Sequence, residues 1–298
     1  MPRDTFSGYH PLVNFLFFAL VLLLTMCLLH PVSLGISLLC ALAYCFRLTR
    51  KRTVLWLLPT AALAALLNPL FNHRGATILT YLPSGNPLTL ESILYGLAAG
   101  GMLAAVLAWF ACCTVVLSAD KFLFLFGRVA PALSLLLSMT LGFVPKFQRR
   151  LRTVLEAQQA LGQDLRQGGP VRRLRRGLSL LSILLTWSLE DAVQTADSMK
   201  SRGYGLPGRS AYTPYRLERR DRRVLLWFSL CAAVLLLAWA GGVLSWHYFP
   251  QVDGALSPWT ALAQGACLAL CATPLVLDHL ARRAYARSLQ ALSGKEGS

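Results

Sequence analysis

Apolar residues arrive along this chain in long runs separated by short polar breaks. The first run covers 12–29, and His30-Pro31 turns the chain into a second that ends near Phe46. A third covers 54–71 with Pro59 and Pro69 inside it, which predicts a kink or an early end. A fourth extends from Ser92 to about Leu117, a fifth covers 224–248, and a sixth covers 258–277. Runs of this length and continuity predict about six membrane-spanning helices. Between the third and fourth, residues 72–90 are polar and rich in turn formers. Within them Ala76-Thr77-Ile78-Leu79-Thr80-Tyr81 alternates weakly, as a short strand would.

Two further apolar stretches are too short to span. Residues 131–144 have Lys121 and Arg128 before them and Lys146 and Arg149 after them, so they are expected to lie along the interface or re-enter. Residues 178–189 lead into Glu190-Asp191, and the apolar positions continue at Leu185, Leu189, Ala192, Ala196 and Met199. This is a helical stripe with Asp191 and Asp197 off it, expected to pack under the membrane domain.

Composition agrees with a polytopic membrane protein: 55% of residues are hydrophobic and 14% charged. The net charge of +16 changes the picture only through its placement. The arginines sit in blocks beside apolar runs, without the interleaved aromatics that stack bases, so nucleic acid is not the expected partner. Placing 118–223 and both termini in the cytoplasm leaves Arg74 as the one basic residue outside, out of 29. The reversed topology would invert that asymmetry. The expected layout is therefore 1–128 with transmembrane helices 1–4 and an outer loop at 72–90, 129–223 with interfacial and cytoplasmic helices, and 224–298 with transmembrane helices 5–6 and a cytoplasmic tail. The lipid bilayer is the first expected partner.

The cytoplasmic stretch holds the sharpest motifs. One helical run starts at Pro145-Lys146 and ends at Ala160-Leu161-Gly162. A basic break follows at Gln167-Gly168-Gly169-Pro170 with Arg172, Arg173, Arg175 and Arg176, and a second run ends at Ser201-Arg202-Gly203. A helix end leaves unpaired carbonyls, and glycine takes the left-handed turn that caps them. An arginine just before that glycine is projected at the tip, where its planar guanidinium can pair with a carboxylate on a partner. A solvated arginine at an ordinary helix end is the alternative.

The eight cysteines all lie in apolar runs without zinc-finger spacing and are expected to act as small apolar packers. No metal, cofactor or catalytic residue is expected. The phosphate-binding loop Gly-x4-Gly-Lys-Ser/Thr is missing from the sequence, so the chain is not expected to hydrolyse ATP. The five histidines are scattered and read as interface or loop residues. A bridge between Arg74 and Glu91 is expected in the outer loop.

Several of these stretches, in order, resemble the transmembrane T-component of energy-coupling factor (ECF) transporters, relatives of the cobalt-transport membrane subunit. They are Asn68-Pro69-Leu70-Phe71-Asn72-His73-Arg74-Gly75, Gly85-Asn86-Pro87-Leu88-Thr89-Leu90-Glu91, Asp120-Lys121, residues 131–145, Glu156-Ala157-Gln158, and Ser198-Met199-Lys200-Ser201-Arg202-Gly203-Tyr204-Gly205. The resemblance covers most of the chain from about residue 60 to 210. It implies an all-α polytopic scaffold with two long cytoplasmic coupling helices, not an enzyme, located in the cell membrane. Two ABC-type ATPases would dock on the helix tips, and a separate substrate-binding membrane protein, the S-component, would capture a vitamin or a transition-metal ion. In the family each coupling helix ends in Ala-Arg-Gly or a close variant. Ser201-Arg202-Gly203 matches that pattern, and Ala160-Leu161-Gly162 departs from it at Leu161. The competing reading is a membrane enzyme acting on lipid or isoprenoid substrates, which would need clustered carboxylates at the inner face. Glu156, Asp164, Glu190, Asp191 and Asp197 are few, and only two of them are adjacent.

Overall fold

The computed structural model describes residues 4–48, 51–72, 75–81, 87–127, 130–162, 169–207, 215–249 and 257–296. Among them the chain is almost wholly helical and forms two units, one from 1–122 with 215–298 and one from 123–214. The first holds α1 (Pro11–Cys27), α2 (Pro31–Leu48), α3 (Lys51–Phe71), a hairpin of β1 (Ile78–Tyr81) and β2 (Pro87–Thr89), α4 (Leu90–Val116), α8 (Arg219–Ala240) and α9 (Pro258–Glu296). The short α5 (Ala119–Gly127) leads into the second unit, which holds α6 (Pro131–Ala160) and α7 (Pro170–Ser201).

Helices α2, α4, α8 and the first 31 residues of α9 are long and apolar enough to cross a bilayer, with α1 and the 59–71 part of α3 as shorter apolar helices. The six apolar runs thus become six helices of a polytopic membrane protein. Some boundaries differ from expectation. Helix α3 continues through both prolines to Phe71. The fifth helix stops at Ala240 rather than 248, because Gly242 takes φ +70° and turns the chain. Helix α9 continues past the expected end near 277 to Glu296.

Helix α4 is the centre of the first unit, packing against α1, α2 and α3. One face is almost free of bulk. A Cβ on Gly96 would sit 2.6 Å from the Ala65 carbonyl oxygen, and one on Gly100 would sit 2.6 Å from that of Ala61. Glycines four apart let two helix backbones approach closely where no hydrophobic effect drives association. On α4 the opposite demand is met by Trp109, fully buried with Phe17 at 5.7 Å, Tyr44 at 6.3 Å and Phe18 at 6.4 Å between ring centres. Its indole N–H donates to Ser37 Oγ (3.1 Å), which pairs with Thr25 Oγ1 (2.8 Å), so the buried polar atoms are satisfied.

The outer hairpin pairs β1 and β2 antiparallel. The expected strand near 76–81 is present, and its partner starts at Pro87. Glu91 is buried and accepts from the Thr77 amide (3.2 Å) and hydroxyl (2.8 Å). Gly75, at φ +146°, passes so close to that carboxylate that a Cβ would sit 2.5 Å from it. The expected partner of Glu91, Arg74, lies outside the described residues, as do 83–86, 163–168 and 250–256. His10 and His30, each followed by proline, cap helix starts: Nδ1 accepts from the Leu12 amide (3.2 Å) and the Val32 amide (3.3 Å) respectively. All eight cysteines are free thiols, and five of them are buried.

Candidate functional site at the ends of α6 and α7

The second unit is a pair of long helices. The residues expected to lie along the interface, 131–144, are the first half of α6, which runs on through Pro145 to Ala160. The arginine block expected in a break lies instead in the first two turns of α7, which starts at Pro170. Proline at the first helical position costs no hydrogen bond, because that amide has no partner in any case.

The two helices join through Val154 on α6 and Leu180 and Leu184 on α7, with Phe147, Leu151, Leu155 and Ile183 around them. Farther along, Asp191 on α7 pairs with Lys146 and with Arg150 (2.9 Å) on α6. Arg150 also lies over the Trp187 ring at 5.8 Å. The Lys146 and Arg150 contacts hold the Asp191 carboxyl below its ordinary range, with the Lys146 hydrogen bond the larger cause. Of the expected stripe, Leu185, Leu189, Ala192 and Ala196 are exposed within their own unit and Met199 is half-buried, while the face of α7 that meets α6 is the one carrying Leu180 and Leu184. Asp191 lies seven residues beyond Leu184, two helical turns along that same face, so it meets α6.

Both helices end in the same way. Gly162 has φ +72° and Gly203 has φ +75°. The Gly162 amide donates to the Gln159 carbonyl and the Gly203 amide to that of Lys200, each at 3.0 Å. At the second end the Tyr204 amide also reaches the Met199 carbonyl (3.0 Å), completing a Schellman turn. Ahead of the two glycines, Leu161 is 72% exposed and Arg202 is exposed. None of the ion pairs among the described residues involves Arg202. It lines a cleft of about 540 Å³ with Met199 of α7, Tyr204 in the turn after it, and Leu135 and Met139 of α6; Asp191 lies in the same lining. Ser201 closes the last turn by donating from Oγ to the Ser198 carbonyl (2.9 Å). The structure therefore brings Ser201, Arg202 and Gly203 to one tip, and Ala160, Leu161 and Gly162 to the end of the neighbouring helix.

Sequence reasoning missed the Asp191 link. The available signal was Lys146 and Arg150, one helical turn apart and flanking Phe147 on the face that continues to Leu151 and Val154. Among the described residues no group of three His, Cys, Asp or Glu side chains is placed to hold a metal ion.

These features define a polytopic helical membrane protein with a cross-linked pair of glycine-capped helices outside its spanning set. Residues 9–213 match the family model CbiQ, described as cobalt transport protein, and the chain belongs to that family. It is thereby a member of a transport family rather than an enzyme family. Among curated proteins it is similar to the energy-coupling factor transporter transmembrane protein EcfT of Lactobacillus helveticus, 32% identical over 106 residues, or 35% of this chain and 38% of the relative. It is also similar to EcfT of Bacillus selenitireducens, 34% identical over 105 residues, covering 35% and 39% of the two chains. An uncharacterized protein of Mycoplasma genitalium is 28% identical over 104 residues, covering 35% of this chain and 23% of that one. The chain matches about two fifths of the length of its EcfT relatives.

Proposed function

We propose that this chain is the transmembrane scaffold of an ECF-type importer. It couples ATP hydrolysis by two partner ABC-type ATPases to uptake through a separate substrate-binding membrane subunit. The observation that carries the reading is the exposed Arg202 set directly ahead of a left-handed glycine, at the end of a helix cross-linked to its neighbour. A guanidinium so presented fits a bidentate carboxylate in a groove of one ATPase. Leu161 offers the second ATPase an apolar contact instead. Because Asp191 ties α7 to α6, a push on one tip is shared by both helices. Coupling follows if the ATPases grip the tips differently in their two nucleotide states.

In this reading 118–223 and both termini are cytoplasmic, in the cell membrane, and the exposed Leu185–Leu189 part of α7 is where the substrate-capturing subunit rests. That subunit, not this chain, selects the vitamin or transition-metal ion. Arg202→Glu should strip or uncouple an ATPase while membrane insertion stays intact. Wild-type copurification of both ATPases together with wild-type uptake in that variant would refute the docking role. Labelling of Tyr204→Cys, in a cysteine-free background, from outside intact cells would refute the orientation.

A further inference from the structure

Residues 4–10, the segment ahead of α1, touch five helices of the first unit. Phe6 opens a single 3₁₀ turn and is fully buried, edge-on to Phe17 (5.2 Å between ring centres) and Phe18 (6.4 Å) of α1. Asp4 is buried too. It accepts from the Tyr44 hydroxyl of α2 (2.7 Å) and from the amides of Phe6 (3.3 Å) and Ser7 (3.1 Å). Thr5 donates to Asp278 of α9 (3.2 Å), which also pairs with Arg47 and Arg282. The Arg220 guanidinium of α8 lies 4.2 Å from the centre of the Tyr9 ring.

The fifth helix is α5, reached through Lys121. This side chain is only 8% exposed, and lysine is rarely buried unless paired. None of the ion pairs among the described residues involves it. Its ammonium donates instead to acceptors on three segments. One is the Ser7 carbonyl, and a second is that of Val116 (2.9 Å), the last residue of α4. With its amide oriented to donate to the Phe6 carbonyl (3.0 Å), Asn14 of α1 supplies the third (3.1 Å). Burial pushes the Lys121 pKa below the usual lysine range, with the Asp4 charge opposing that shift. An apolar side chain would pack here without that penalty. Only a group with three charged donors can join three acceptors at one point.

The place so joined is a corner. Helix α4 ends at Val116, α5 starts at Ala119, and the first unit ends one residue after Lys121. We infer that the segment ahead of α1 is a clasp, pinned by Lys121, that fixes the α4–α5 corner and gives the chain leading to α6 and α7 a stiff root. The clasp itself stands on these contacts; that its stiffness serves coupling rests on the proposed function.

The test is hydrogen exchange of residues 117–127, read by mass spectrometry on the full chain in nanodiscs. Phe6→Ala lifts the segment off α1, and Lys121→Met removes the pin. Each should speed exchange at the corner about tenfold, the effect of one charged hydrogen bond. The double variant should be no faster than the faster single one, because both break the same clasp. Gly100→Val, which loosens α3 from α4 in the same unit, should leave the corner unchanged. Wild-type exchange in Phe6→Ala, effects that multiply in the double variant, or a corner that opens equally in Gly100→Val would each overturn the inference. A second arm adds the purified ATPase pair with ATP and orthovanadate. The corner should then stay protected in wild type and open further in the two variants. Exchange in the variants that is the same with and without nucleotide would overturn the stiffening role. ATPases that fail to bind the wild-type chain would sink the proposed function, and the first arm would still decide the clasp.

Discussion

Replacing Gly203 by alanine isolates the geometry of the tip from its chemistry. The added methyl group meets only the end of the flexible Leu206 side chain, Cδ1 at 3.0 Å, so steric overlap contributes little. The cost comes from φ +75°, where an L-residue with a Cβ is about 1–2 kcal/mol less stable than glycine. That figure bounds the effect on docking. If the ATPase groove accepts Arg202 only when the cap is formed, affinity falls by up to about 5- to 30-fold. The assay is a titration of the purified ATPase pair against the purified chain. Gly203→Asn should recover most of the loss, because asparagine tolerates the left-handed region. Gly242→Ala supplies the control: its φ is +70° with no atom within 4 Å of the new Cβ, so the backbone cost is similar at the end of another helix. Docking that is untouched by Gly203→Ala, or weakened equally by Gly242→Ala, would refute the argument.

Gly100→Val should lower thermal stability by about 1–3 kcal/mol, because the new side chain meets the fixed Ala61 carbonyl of α3. The reaction of buried Cys45 and Cys112 with a thiol dye on heating reads this out, and Gly142→Ala, with open space at its Cβ, should not be destabilised. The Asp191 link should be pH-dependent with a definite sign. Its carboxyl is held below the ordinary value, so its stabilisation is fully present above that value of 3.8 and is lost as pH falls through the lowered one. Spin labels at Thr140 and Ser198 should therefore keep their separation from neutral pH down to about 4, near the ordinary carboxylate value, and broaden below it. Asp191→Asn should remove that acid transition, and an acid transition surviving in it would count against the link.

Much of this architecture was legible from hydrophobic length alone. Six apolar runs gave six helices, and glycines at 162 and 203 marked two helix ends, because left-handed caps leave a strong local signal. The packing was less visible. An apolar run reads the same whether its residues are large or small, so the Gly96 and Gly100 contact with α3 was hidden inside a run called only hydrophobic. Pro145 looked like a start, yet α6 passes through it, since neighbouring turns can carry the one hydrogen bond it forfeits. The face of α7 that meets α6 was hidden for a related reason. Two apolar stripes compete on that helix, and only the partner's Val154, Lys146 and Arg150 decide which is inward. Local pattern holds no information about that choice. The proposed pairing of Ser201, Arg202 and Gly203 with an ATPase rests on family resemblance and the exposed tip, not on any periodicity.

The stops at Gly162, Gly203 and Gly242 have φ values within a few degrees of one another, yet the residue ahead of each is leucine, arginine and glycine in turn. The backbone of such an ending is indifferent to what it carries. A single codon change can therefore exchange a greasy knob for a cation, or erase both, without rebuilding the rod behind it. If the tips dock as proposed, recognition there is an interchangeable fitting, and chimeras that swap only position 161 or 202 should retarget a tip while the helices stay as they are.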